Sequence, residues 1–376
     1  MSRKSLLILC ILLIYSLDSY CQLTDVQATV ETKSLFNKLL KMKKSGVLFG
    51  HQDDLAYGVG WSYQPGRSDI KELTGQYPAV FGWDLAGLEK DEQKNIDGVP
   101  FDRMVEYIRK GYNMGAVNTL SWHMDNPLNG KTAWDTSSPN TIKEMLLPGG
   151  SVHQKYKQWL DRFVKFNSRL TGAHGKPIPL LFRPFHEHSG DWFWWGSKGC
   201  SPQEYQEIWK FTVHYLRDVK QQHNLIYVFN PSEFTTAREY LTRYPGNSEV
   251  DVLSFDTYQY GKVDNGETFS KTLAGKLKIQ DSLAKKNHKI SAIAEMGYVE
   301  IPDPKWWSEV VWKGISQHPP AFILFWRNAG FREKEKDNHY YVPYKGHRSA
   351  ANFLKMKRKK RFLFQLDAAS LNLYAK

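Results

Sequence analysis

Cysteine is nearly absent from this chain: three in 376 residues, at Cys10, Cys21 and Cys200. The first two fall in an N-terminal leader, so past it no disulfide can form within the chain and stability must come from core size. Long apolar runs are missing too. The stretch Leu6 to Tyr15 is too short for an ordinary membrane span. No repeat or low-complexity linker divides the chain past the leader, which points to one domain over 22–376. A glycine-rich phosphate loop is also missing. "FGHQDDLAYGVGW", at the end of the first strand-like run, does not fit that pattern, which counts against a doubly wound nucleotide-binding sheet. Acidic excess is absent, the formal net charge being +12. The basic "KMKRKKR", Lys355 to Arg361, reads as a solvated helix face, and no nucleic-acid motif accompanies it.

The leader has the order of a secretory signal peptide. Arg3 and Lys4 precede the apolar run, and the polar "SLDSYCQ" comes after it. Ser19 and Cys21 at the −3 and −1 positions put the cut before Gln22, making 1–21 the signal and the product periplasmic or secreted. Tyr20 is too bulky for a typical lipoprotein site, so neither a lipid anchor on Cys21 nor stable membrane insertion is expected.

Aromatic surface and strand-like punctuation, by contrast, are abundant. Aromatic residues make up 14% of the chain, with 13 Trp and 20 Tyr, more than core packing readily absorbs. Exposed Trp in a cleft suits a ligand with flat apolar faces, of which a pyranose ring is one. Eight short β-rich runs recur, each ending in polar or aromatic residues and each leading into a helix-like stretch: 46–52, 79–85, 115–123, 178–187, 225–233, 252–260, 290–297 and 322–328. The clearest helix begins at Ser201, with Pro202 in its first turn and Glu204 closing a capping box. Tyr205, Ile208, Trp209, Thr212, Leu216 and Val219 mark its apolar face. Eight strand-then-helix units in one domain imply a (β/α)8 TIM barrel.

A barrel does its chemistry at the C-terminal ends of its strands. Those ends carry His51, Asp84, His123, Glu187, Tyr258, Glu295, Trp326 and Arg327. Glu187 and Glu295 close the fourth and seventh runs. Cleaving a glycosidic bond needs one carboxylic acid to protonate the leaving oxygen and one carboxylate to attack the anomeric carbon or activate water. Glu187, among aromatic and histidine side chains, suits the acid, because desolvation raises its pKa. Glu295 suits the ionised partner, with Tyr258 available to donate a hydrogen bond to it. The plainer reading makes either Glu a salt-bridge partner of Arg183 or Arg327. His186 and His188 flank Glu187. On a continuing strand they share one face and could hold a metal with His51, His123 or Asp84. That reading lacks a recognisable ligand spacing and leaves the tryptophans unexplained, so no metal is expected. His186 is read as a hydrogen-bonding partner of substrate or a support for Glu187, and Trp194 and Trp195 as core.

These residues resemble a known family. "RPFHEHSGDWFWWG" (183–196) is similar to the acid/base motif of glycoside hydrolase family 26, mostly β-mannanases. The resemblance continues through "FGHQDD", "WHMDNP", "DTYQY", "AEMG" and "FWRNA", nearly the whole chain past the leader. It implies a cofactor-free retaining hydrolase of β-1,4-mannosidic linkages in mannan, galactomannan or glucomannan, with Glu187 as acid/base and Glu295 as nucleophile. It also implies that Tyr258 bonds the nucleophile, that His123 lies near the −1 sugar, that Trp192 lines the substrate site, and that Trp326 is a platform with Arg327 beside it. His188 falls where members vary and receives no role. Mixed-linkage β-glucan or β-1,3-xylan is the alternative substrate, and a non-catalytic glycan-binding protein is a more remote one. A monomer acting on a polysaccharide or oligosaccharide is expected, with segments 124–150 and 328–346 deciding how far the cleft is closed.

Overall fold

The computed structural model of the chain describes residues 23–333, 336–359 and 361–375. The expected leader, 1–21, lies outside the described residues, as does Lys360 of the basic cluster. Each of the eight runs contains a strand: β1 Val47–Gln52, β2 Val80–Asp84, β3 Val117–Ser121, β4 Leu180–Arg183 and β5 Leu225–Phe229. Then come β6 in two segments, Val252–Leu253 and Asp256–Gln259, β7 in two, Ile290–Ser291 and Ile293–Tyr298, and β8 Phe322–Phe325. Each strand pairs in parallel with the next, and β8 pairs with β1. The sheet therefore closes into the barrel expected from the runs, with helices on its outside. Among the described residues five short strands lie outside the runs: Phe362–Leu363 adds in parallel to the start of β1, and two antiparallel pairs join Tyr57–Gly58 to Trp61–Ser62 and Gly330–Arg332 to Asp337–His339.

Alternation along the strands divides the core in two. Leu48, Val80, Val117, Leu181, Ile226, Val252, Ile290 and Phe322 meet inside the barrel, with Leu35, Phe36 and Leu39 of the helix Val30–Lys41 completing that cluster. Phe49, Phe81, Trp83, Leu120, Phe182, Tyr227 and Phe325 belong to the layer under the outer helices. One strand breaks the period. On β7, Ile293 and Met296 both lie in the outer layer although three residues apart, and they pair with Ile323 and Phe325, only two apart on β8. The extra residue is a β-bulge, which reverses the facing of the residues after it and brings Glu295 to the inner side.

The helix Pro202–His214 carries the expected capping box between Ser201 and Glu204. Tyr205, Ile208, Trp209, Thr212 and Leu216 are buried as expected, but Val219 is 53% exposed. The chain winds into a wider π turn over Tyr215–Val219, which rotates Val219 off the buried face. In the basic cluster, the helix Ala350–Arg358 buries Phe353 and Met356 and leaves Lys355 and Arg358 exposed. Among the described residues no helix is long and apolar enough to cross a membrane.

Candidate active site

The strand β4 delivers the first charged group. Leu180 and Phe182 face outward and Leu181 inward, so Arg183 points into the barrel, where its side chain is 1% exposed. Its guanidinium forks. One nitrogen donates to Asp256 Oδ2 at 2.9 Å and the other to Glu295 Oε1 at 2.5 Å. Asn230 adds a bond to Asp256 Oδ2 at 2.6 Å, and Tyr258 donates its hydroxyl to Glu295 Oε2 at 2.7 Å. Both oxygens of Glu295 thus accept from a donor, and one of those donors is a cation.

Glu187 is held differently. The strand stops at Arg183, and residues 184–190 form a tight turn in which Phe185 and Glu187 adopt φ of 49° and 53°. Such a left-handed conformation is uncommon for side chains of this size and persists only where neighbours impose it. Here Glu187 N–H bonds the Asn230 carbonyl at 2.7 Å. The carboxylate takes one hydrogen bond, from Trp192 Nε1 to Oε2 at 2.8 Å. Loss of hydration pushes its pKa up to about 7, and the nearby charge of Glu295 adds to the rise. One carboxylate oxygen each from Glu187, Asp256 and Glu295 lie within 4.8 Å of one another. Burial, with Glu295's charge second, also raises Asp256 well above the ordinary carboxylate range.

The turn corrects the alternation expected for His186 and His188. Since the strand ends before them, they do not share a strand face as a ligand pair. His186 Nε2 meets His123 Nε2 at 3.1 Å, whereas His188 is packed between the rings of Tyr205 and Phe229. His123 is turned by Asp84, whose Oδ2 meets its Nδ1 at 2.7 Å and is also bonded by Ser121. Burial opposes charge on His123, but Asp84 outweighs it and raises the imidazole pKa. His186 is pushed the other way, by burial first and then by Arg183 and His123. The two shifts run in opposite directions across this contact. Asp84 and His51, metal candidates by their strand-end positions, are engaged otherwise: Asp84 with His123, and His51 with Asp54 at 2.7 Å. Among the described residues the one group able to hold a metal is Glu187, Asp256 and Glu295. Arg183 already donates a hydrogen bond to two of its members.

Trp192 is 37% exposed, while Trp194 and Trp195 are fully buried, as expected of core residues. Trp326 is half-buried, its ring centroid 6.4 Å from that of His123. Arg327 pairs with Asp97 at 3.0 Å and with neither glutamate. Three residues at the site escaped the sequence reading. Arg183 entered it only as a salt-bridge partner, although counting inward positions from Leu181 identifies it as a mouth residue. Asp256 carried a similar signal two residues before Tyr258. Trp134 carried none. It lies in the segment 124–150 and stacks on His123, 5.4 Å between centroids and 15° between planes, while still 49% exposed. From the segment 328–346, Tyr341 comes to 5.9 Å from the Tyr258 ring, so both long segments border the mouth.

Comparison with known proteins agrees with this architecture. A β-mannanase of glycoside hydrolase family 26 from Bacteroides ovatus is 39% identical, with a TM-score of 0.87 over 93% of this chain and 98% of its own. The catalytic domain of an endo-β-1,4-mannanase from Bacillus sp. JAMB-750 is 32% identical, with a TM-score of 0.84 over 94% and 96%. A mannan endo-1,4-β-mannosidase of Bifidobacterium adolescentis is 35% identical over 327 residues, 82% of this chain but 32% of that protein's length. Other curated relatives are likewise spanned only in part, 46% and 57% of their length in two cases. The model of glycosyl hydrolase family 26 matches residues 24–321, and this establishes that the chain belongs to that family.

Proposed function

We propose that the protein is an exported retaining endo-hydrolase of β-1,4-mannosidic bonds. The unlike treatment of two neighbouring carboxyls carries this reading: Glu187 raised to about 7, and Glu295 bonded by Arg183 and Tyr258. One can hold a proton near neutral pH while the other attacks. In the first step Glu295 forms a bond to the anomeric carbon as the glycosidic C–O bond breaks, and Glu187 gives its proton to the leaving oxygen. In the second, Glu187 takes a proton from water, and that water displaces Glu295. Oxygens within 4.8 Å suit this covalent route better than the separation of about 6.5–9.5 Å that a water-first inversion needs.

Mannan as the substrate is supported by the mannanase relatives. Export is supported by Arg3, Lys4 and the apolar run after them. The roles proposed for Trp192, Trp326 and Trp134 are apolar platforms for sugar faces, with His123 and Arg327 reading hydroxyls. The deciding experiment is chromatography over time of digests of β-1,4-mannan, mixed-linkage β-glucan and β-1,3-xylan. Oligosaccharides released from mannan, with β-configured products by early NMR, are expected. Release only from glucan or xylan moves the substrate, and no release from any of the three sinks the hydrolase reading.

A further inference from the structure

Gly297 follows Glu295 closely on β7, inside the segment Ile293–Tyr298. Glycine weakens a strand interior and often marks a place where another group comes near the backbone. Its φ is not positive, so the backbone there does not itself demand glycine. Space does. A Cβ on Gly297 would lie 2.3 Å from Tyr341 Cδ1 and 3.1 Å from Tyr258 Cε1. The Tyr341 ring therefore occupies room that any side chain at 297 would take. Tyr258 is the cross-strand neighbour of Gly297 on β6.

Tyr341 belongs to the segment 328–346, and its backbone is held from two sides. Its N–H donates to Asn328 Oδ1 at 2.9 Å, and the N–H of Val342 donates to the same oxygen at 3.1 Å. Asn328, just past the end of β8, is fully buried. Its amide nitrogen donates to Asp69 Oδ2 at 2.8 Å and to the Val342 carbonyl at 3.2 Å, so the donors and acceptors of this amide are all engaged. On the other side, beyond β7, Glu300 N–H donates to the Tyr340 carbonyl at 2.9 Å.

The ring placed in this way meets Tyr258 edge to face, 5.9 Å between centroids and 75° between planes. Tyr258 is half-buried near the end of its strand, so its ring depends on its neighbours for the rotamer that delivers the hydroxyl to Glu295 Oε2 at 2.7 Å. Tyr260 also approaches it, at 6.2 Å, but is 76% exposed and itself largely in solvent. We infer that Tyr341 is a positioning residue of the reaction: its ring, seated in the space left by Gly297 and fixed by Asn328, keeps the Tyr258 hydroxyl on Glu295. The inference rests on the proposed role of Glu295 as nucleophile. It gives the segment 328–346 a part in the chemistry that needs no contact with sugar.

The test is a set of variants assayed on whichever of β-1,4-mannan, mixed-linkage β-glucan and β-1,3-xylan the protein cleaves. Tyr341→Ala should lower kcat by about two- to twelvefold, the size of one aromatic pair contact, with KM little changed. Tyr341→Phe keeps the ring and should restore the wild-type rate. Once Tyr258→Phe has removed the hydroxyl, adding Tyr341→Ala should cost nothing more. Additive losses in the double variant, or a Tyr341→Phe variant as slow as Tyr341→Ala, overturn the inference. If the unmodified protein cleaves none of the three polysaccharides, the hydrolase reading falls, and crystal structures of the two Tyr341 variants decide the brace alone. A Tyr258 hydroxyl turned away from Glu295 in Tyr341→Ala, yet bonded to it in Tyr341→Phe, upholds the brace; a bond kept in both overturns it.

Discussion

At the scale of single residues, the proposed chemistry depends on a difference between Glu187 and Glu295. Glu187→Ala should lower turnover on polysaccharide by about 10²–10⁴-fold. It should spare a substrate whose leaving group needs no proton, such as a dinitrophenyl glycoside; equal losses on both would remove Glu187 from the acid role. Because the free acid must be protonated, kcat/KM should fall as pH rises through about 7, where its pKa lies. Part of that rise in pKa comes from the charge of Glu295. Glu295→Gln should therefore lower the Glu187 pKa, read by carbon NMR titration of the labelled carboxyl, as well as abolish turnover. Tyr258→Phe removes a hydrogen bond to a charged group. That is worth about 1.5–3 kcal/mol, or roughly ten- to a hundredfold in rate if it is kept through the transition state. A variant with unaltered rate would make the Tyr258 bond incidental.

At the scale of elements, β4, β6 and β7 are joined by one guanidinium. Arg183→Met leaves Asp256 and Glu295 buried without their cation, and breaking such a pair costs about 3–5 kcal/mol. Arg183→Lys should recover little, because an ammonium lacks the planar fork that reaches both carboxylates. Urea denaturation of the two variants checks this, and a wild-type midpoint for either would contradict it. Close approach inside the barrel is tested at Gly82, where an added Cβ would lie 2.0 Å from Gln52 Oε1 and 2.7 Å from Leu324 Cδ2. Gly82→Ala should cost about 1–3 kcal/mol by overpacking. The period-two pattern made β1 to β5 and β8 legible. It misjudged the end of β4 and the middle of β7, since a bulge and a left-handed turn leave no mark in hydrophobic alternation. Both irregularities carry a glutamate of the proposed pair.

At the scale of the whole molecule, acid and metal dependence separate the readings. Chelation with EDTA should leave the rate unchanged; a loss restored by a divalent cation would turn Glu187, Asp256 and Glu295 into ligands. Stability has its own pH dependence through Asp251, which is buried at the start of β6 and tied to Thr24 N–H at 2.7 Å and to Tyr227 N–H at 2.9 Å. Burial raises its pKa from 3.8 to about 6, so in that window the folded protein binds the proton more tightly than the unfolded chain. Its stabilising contribution is therefore full below about 4 and is lost as pH rises to about 6. Asp251→Asn should flatten this part of the stability profile; a slope that persists would assign it to other groups.

What the sequence by itself determined is local and periodic: eight β-rich runs separated by helices, a capping box at Ser201, and glutamates at the ends of the fourth and seventh runs. Those signals survive in one dimension because strand period, helix period and caps are set by neighbours within a few residues. The tertiary structure alone decided which groups meet. Arg183 reaches across the barrel to Glu295, 112 positions away, His123 rests on His186, and Trp134 folds back over His123. It also made two readings of Glu295 compatible, since the salt bridge with Arg183 and the proposed role as nucleophile occupy one carboxylate. Such pairings depend on barrel closure and on the bulge in β7, which bring distant side chains within a few ångströms regardless of their spacing along the chain.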